Sequence, residues 1–242
     1  MPGQDLDLEK ADALGGIDRL VTNFAISTIA VIPTFSTCLI RPSRLRSLLD
    51  RDFPDGRAGM LLAPGLFFPL SLLVSFITAA LLSTPETVST SGSYIGPGLA
   101  VSVQAAASEG DIWKIVATVM PIYGFAVIMG LLGSFLRGWS LQNWSLRVSL
   151  RAAFYVTGTL TSWLILTTVI IDLIGLRTGR FDIVSLLYSA IAISTIAAVF
   201  WIYFVFFRND GEVSRMRAIA LSFAMVGLIV GVIQAIETLL LV

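Results

Sequence analysis

"MLLAPGLFFPLSLLVSFITAALL", residues 60–82, runs for 23 positions without a charged side chain, and what it folds into decides how the rest of the chain is read. About 20 apolar residues make a helix long enough to cross a hydrocarbon layer of about 30 Å. Lipid offers no partner to a bare peptide group, so a lipid-embedded stretch must satisfy its own N–H and C=O groups, as a helix does. A membrane-spanning strand is about ten residues long and alternates strictly. This run is continuous and far longer.

Outward from it, the same template fits residues 59–83, 115–136, 152–175, 184–207 and 218–242, with Asp172 and Glu237 the charges inside them, both near helix ends. The chain is 56% hydrophobic and 13% charged, which places it outside the balance of soluble domains. The expected fold class is an all-α membrane protein, a five-helix transmembrane bundle over residues 58–242. Residues 20–57 form an apolar segment followed by an arginine-rich helix, and residues 1–19 an acidic N-terminal tail. Residues 20–40 are uncharged but carry Asn23, Pro33 and many Ser and Thr side chains. An interfacial helix is expected there, with a re-entrant or fully spanning sixth segment as the alternative. The tail lacks the basic start of a signal peptide, so no cleaved leader is expected.

Immediately before the opening run stands "LIRPSRLRSLLDRDFPDG", residues 39–56, with four arginines and three aspartates. Pro42 suits the first position of a short helix, in which Leu45, Leu48 and Leu49 share one face while Arg44, Ser47 and Arg51 share another. Such a helix fits the headgroup layer, leucines down, with Arg41, Arg44, Arg46 and Arg51 as a lipid- or partner-facing basic surface. The connections on this side of the spans hold eleven Lys and Arg residues, against Lys114, Arg177 and Arg180 on the other. By the positive-inside rule the basic side and the N-terminus are cytoplasmic.

Sixteen basic and sixteen acidic residues cancel, so no global field draws nucleic acid. Histidine is absent and Cys38 is the single cysteine, which excludes His-ligated haem, Cys/His zinc sites, iron–sulfur clusters and internal disulfides. No Walker loop, nucleophile elbow or metal spacing occurs. Neither catalytic residues nor cofactors are expected.

Small residues recur at helical spacing in Ala126, Gly130 and Ser134, in Ala190, Ser194 and Ala198, and in Gly227, Gly231 and Ala235. Such stripes let helix backbones approach closely, and packing within the bundle is the expected use. Asp172 and Glu237 are candidates for ion coupling, because carboxylates near a hydrocarbon layer often mark ion pathways. Arg177 and Arg180 stand at their level as possible structural partners. Trp113, Trp139, Trp144 and Trp201, with Tyr123, Tyr155 and Tyr203, are expected in an aromatic belt. Of the span prolines only Pro69 is expected to lie beyond a first turn. Residues 84–111, rich in Ser and Gly, are expected as an exposed connection.

The elements "RPSRLRSLL", "APGLFFPLSLLVSFI" and "NWSLRVSLRAAFYVTGTLTSWLIL" resemble bacterial members of the Yip1 family of integral membrane proteins. The resemblance covers residues 40 to 242. It implies a cytoplasmic N-terminal region, five transmembrane helices and work as a membrane organiser, adaptor or accessory subunit without catalytic residues. The acidic Tyr-Gly-Pro motif of eukaryotic relatives is absent, so no Rab-linked trafficking role is implied. The expected function is therefore non-catalytic organisation through helix packing in a bacterial inner membrane, with lipids and other membrane subunits or a second copy as partners. The alternative is a small transporter or channel component using Asp172 and Glu237.

Overall fold

The computed structural model describes residues 4–49, 51, 53, 56–82, 112–138, 145–208 and 214–240; of these, the side chains of 4–20, 80, 112, 114–119, 136–138, 172, 176, 181 and 232–240 are outside the description. The chain is mostly helical. Its elements are α1 (Gln4–Ile40), α2 (Pro42–Arg46), β1 (Arg57–Ala58), β2 (Leu61–Leu62), α3 (Pro64–Leu82), α4 (Ile112–Gly138), α5 (Leu146–Thr178), α6 (Phe181–Arg208) and α7 (Arg215–Leu240). The expected connection over residues 84–111 lies outside the described residues.

Among the described residues, three stretches are long and apolar enough to cross a membrane, Val21–Ile40, Leu146–Gly175 and Asp182–Arg208, and Pro64–Ala79 and Met120–Phe135 are shorter apolar helices. α5 is the central post. It packs against α3, α4, α6 and α1, and 61% of its apolar window is buried, against 28% in α1 and in α6. Its ends are well defined. The Ser145 hydroxyl accepts from the Val148 N–H at 3.3 Å, supplying one of the partners that a first helical turn lacks. At the other end Gly179 takes a left-handed φ of 63° and donates to the Gly175 carbonyl, a conformation glycine adopts without steric cost. Two residues later α6 begins, and a Cβ on Gly175 would come within 2.7 Å of Val184, so α5 and α6 form a tight helical hairpin.

The first apolar run departs from the expected helix at its start. Residues 57–62 make a two-stranded antiparallel hairpin with Arg57 opposite Leu62 and Ala58 opposite Leu61. Gly59, at φ 62°, stands at the first turn position, the place where a two-residue II′ loop calls for glycine. The helix starts only at Pro64, whose missing N–H is harmless there. The strand ends inside the bundle, with Leu62 fully buried. Its N–H donates to Thr34 Oγ1 of α1 at 3.0 Å, and its carbonyl accepts from the Tyr155 hydroxyl of α5 at 2.6 Å. Thr34 Oγ1 also donates to the Ala30 carbonyl at 2.7 Å, so one hydroxyl serves both elements.

These contacts correct several expectations. α1 is one continuous helix through Pro33, with no re-entrant break. Its face of Ser27, Ala30, Val31, Thr34 and Cys38 is buried, while Val21, Phe24, Ile29, Ile32 and Ile40 are exposed. Val21–Ile40 is long and apolar enough to cross a membrane, with hydroxyl side chains on its buried face and large apolar ones on its exposed face. The leucines of the arginine-rich segment do not point toward lipid. Leu45 and Leu49 are fully buried and belong to the same cluster as Phe206 and Phe207 of α6. Tyr155 and Tyr203 are core residues instead of belt residues. Pro121 lies well inside α4, which begins at Ile112.

Replacing Tyr155 with Phe leaves a buried carbonyl without its donor, and Thr34→Val does the same to the Leu62 N–H. Each is expected to lower unfolding free energy by about 1–3 kcal/mol in detergent micelles. Thr167→Val removes only bonds to the helix's own Trp163 and Leu164 carbonyls and is expected to change it by less than about 0.5 kcal/mol.

Candidate functional site

The residues singled out by sequence fall into three places. The first is the arginine-rich turn. α2 packs on α6 and α1; Arg41, Arg44 and Arg51 are exposed, whereas Arg46 is buried at 8% exposure. Arg46 therefore belongs to the body of the bundle and not to the basic surface. The turn is held from a distance by Arg151 of α5, whose Nη1 donates to the carbonyls of Leu49 at 2.7 Å and Arg51 at 2.6 Å. Its guanidinium also sits 6.0 Å from the centroid of the Phe53 ring, within the range of a cation–π contact. About a hundred residues separate donor and acceptors, and charge counting alone gave Arg151 no such role.

The second place is the set of small-residue stripes, which the structure divides. Ala126 and Gly130 face inward, and a Cβ on Gly130 would lie 2.6 Å from Leu150 Cδ2 and 3.0 Å from its Cα. Ser134, the third member, is half-buried. This stripe is where α4 meets α5. Gly227 and Gly231 are exposed, and a Cβ on either would meet nothing within 4 Å. Ala235, the third member, has its side chain outside the described residues. Ala190 and Ser194 are exposed on α6, while Ala198 is half-buried.

A close approach that sequence spacing did not single out joins α3 to α5. A Cβ on Gly158 would lie 2.9 Å from Ser71 Oγ and 3.3 Å from Phe68 Cα, and Ser162 Oγ donates to the Ser71 carbonyl at 3.1 Å. The seam reads in the sequence as "TGTLTS", small and hydroxyl side chains in an otherwise bulky span. Phe68 closes one end of it, stacked on Phe154 at 5.5 Å and edge-on to Tyr123 at 4.6 Å.

The third place is the pair Asp172 and Glu237, in α5 and α7, whose side chains lie outside the described residues. On the same side Arg180 pairs with Asp182 at 3.2 Å, both well exposed, a surface contact of little energetic weight. Among the described residues the buried polar side chains are serines, threonines and Arg46, and several of the hydroxyls bond to carbonyls of their own helix. No group of three or more Cys, Asp or Glu side chains gathers among the described residues in a way that would hold a metal ion.

Comparisons with protein-family models, with curated proteins and with solved structures find no match to this chain.

The two kinds of glycine differ in a measurable way. Gly158→Ala and Gly130→Ala put a methyl group into a filled seam and are expected to cost about 1–3 kcal/mol of stability. Gly231→Ala places the same methyl group in open space and is expected to be neutral or to stabilise by up to about 1 kcal/mol. Thermal unfolding of the three variants in one detergent compares them directly.

Proposed function

We propose that this chain is a non-catalytic, multi-pass membrane protein of Yip1-like type, an organiser or accessory subunit that works by helix packing against another membrane protein or a second copy of itself. In this reading α3 to α7 make five spans, the arginine-bearing ends face the cytoplasm, and the membrane is a bacterial inner membrane. The observation that carries the reading is the division of the small residues. Gly130 and Gly158 are filled by neighbours within the chain, whereas Gly227 and Gly231 are exposed and no described residue comes within 4 Å of a Cβ at either.

Association between helices in lipid gains little from apolar burial, since lipid tails are as apolar as leucine; it depends on close backbone approach and small residues. An outward glycine pair is the kind of surface on which such association is built. The transporter alternative draws less support, because apart from Arg46 the buried polar side chains in the described core are scattered hydroxyls, several of them committed to helix carbonyls.

Resistance to carbonate extraction tests membrane integration by itself. Mass measurement of the gently extracted particle then tests the organiser role. The expected result is a complex of fixed stoichiometry that Gly231→Leu dissolves roughly tenfold or more without lowering the thermal unfolding midpoint of the chain. A lone monomer, unchanged by Gly231→Leu, overturns the organiser role and turns attention to flux in Asp172 and Glu237 variants.

A further inference from the structure

A cleft of about 430 Å³ opens between the start of α3 and the first three turns of α5. Its lining brings the guanidinium-bearing Arg147 and Arg151 together with the phenyl rings of Phe53 and Phe154 and with Ala63, Pro64 and Gly65 at the start of α3. We propose that this cleft binds the phosphate of a glycerophospholipid headgroup, a reading that rests on the chain being embedded in a membrane.

Position is the first argument. Pro64 opens the apolar run Pro64–Ala79, and Arg147 and Arg151 lie at the start of Leu146–Gly175. The cleft is thus at the level where two apolar helices begin, which in a spanning helix is the depth of the headgroups. Basic pockets at this level recognise lipid phosphates.

The chemistry of the lining is the second argument. Arg147 and Arg151 are four residues apart on one helix and so share a face. A guanidinium is a planar fork of donors whose spacing matches two phosphate oxygens. Arg151 is held in place by its bonds to the carbonyls of Leu49 and Arg51, so its charge is positioned before any ligand arrives. Gly65 is exposed, and a Cβ there would meet nothing within 4 Å, which leaves room for ligand atoms beside the first turn of α3. Helix N-termini favour negative charge.

The phenyl walls argue for a lipid over a soluble anion. Phosphate alone gains nothing from Phe53 and Phe154. A glycerol backbone with the first methylenes of its acyl chains does, because those groups are apolar and lie directly below the phosphate. Phe154 is braced by its stacking on Phe68, so this wall is preformed. The volume is within the range of small-ligand clefts.

The test uses the full-length protein in nanodiscs of phosphatidylcholine doped with phosphatidylglycerol, then released for native mass measurement of retained lipid. The unmodified chain is expected to keep a single phosphatidylglycerol. Arg147→Gln and Gly65→Asp are each expected to lower that retention by roughly fivefold or more. Gly65→Asp guards against a folding artefact, since its side chain enters open space and an acid suits a first helical turn. Arg215→Gln, an exposed arginine away from the cleft, is expected to change nothing. Equal retention in all variants, or equal loss in all three, overturns the proposal. Displacement of the lipid by millimolar inorganic phosphate also overturns it and assigns the cleft to a soluble anion. Carbonate extraction of each variant is read separately, so a chain that never inserted is distinguished from one that inserts without holding the lipid.

Discussion

Leu62 presents a peptide N–H and a carbonyl in the middle of a helical bundle, where neither a helix of its own nor lipid can satisfy them. Their partners come from opposite sides, Thr34 of α1 and Tyr155 of α5. An unpaired buried polar backbone group costs about 1–3 kcal/mol, so the extended segment is stabilised by the hydroxyl that each helix brings to it. The dependence runs the other way as well. α1 is fixed against α5 largely through what lies between them, and the buried Thr34 and Cys38 face that interior.

Much of the arginine-bearing end follows from this one strand. Because the chain enters the bundle as a hairpin, α3 starts late, at Pro64, and its 19 residues rise only about 28 Å at 1.5 Å per residue. The segment before the hairpin must then lie across the ends of the helices. It does so with Leu45 and Leu49 turned into the core and with its last turn tied to Arg151. The Arg151 guanidinium clamps the turn through Nη1 and the same side chain lines the cleft beside α3. A guanidinium suits both tasks because it stays ionised and offers donors in several directions.

How much of this was legible in the sequence depended on the range of the interaction. The apolar runs announce themselves by length alone, and helices stand where 115–136, 152–175 and 184–207 were expected and, as far as the described residue 240, where 218–242 was. The shared apolar face of Leu45, Leu48 and Leu49, in α2 and the turn after it, was also legible at i, i+3 and i+4. What covers that face was not, because periodicity says which side is apolar and nothing about whether protein or lipid lies against it. Leu61 and Leu62 belong to a run that is apolar throughout, so hydropathy could not separate strand from helix; the signal was Gly59 and Pro64 bracketing four residues. Tyr155 looked like a belt residue because it stands close to the expected start of the 152–175 span. Its actual partner is a carbonyl 93 positions away, which no local pattern encodes.

The glycines make the same point about function. Gly130, Gly158 and Gly231 are indistinguishable by residue type, and two of them belong to stripes of identical spacing. Packing separates them: a side chain has no room at Gly130 or Gly158, and nothing constrains it at Gly231. Helix glycine carries a cost of about 1 kcal/mol relative to alanine. At Gly158 that cost is offset inside the molecule by the approach of α3. At Gly231 no described residue lies within reach of a Cβ, so among the described residues nothing offsets that cost.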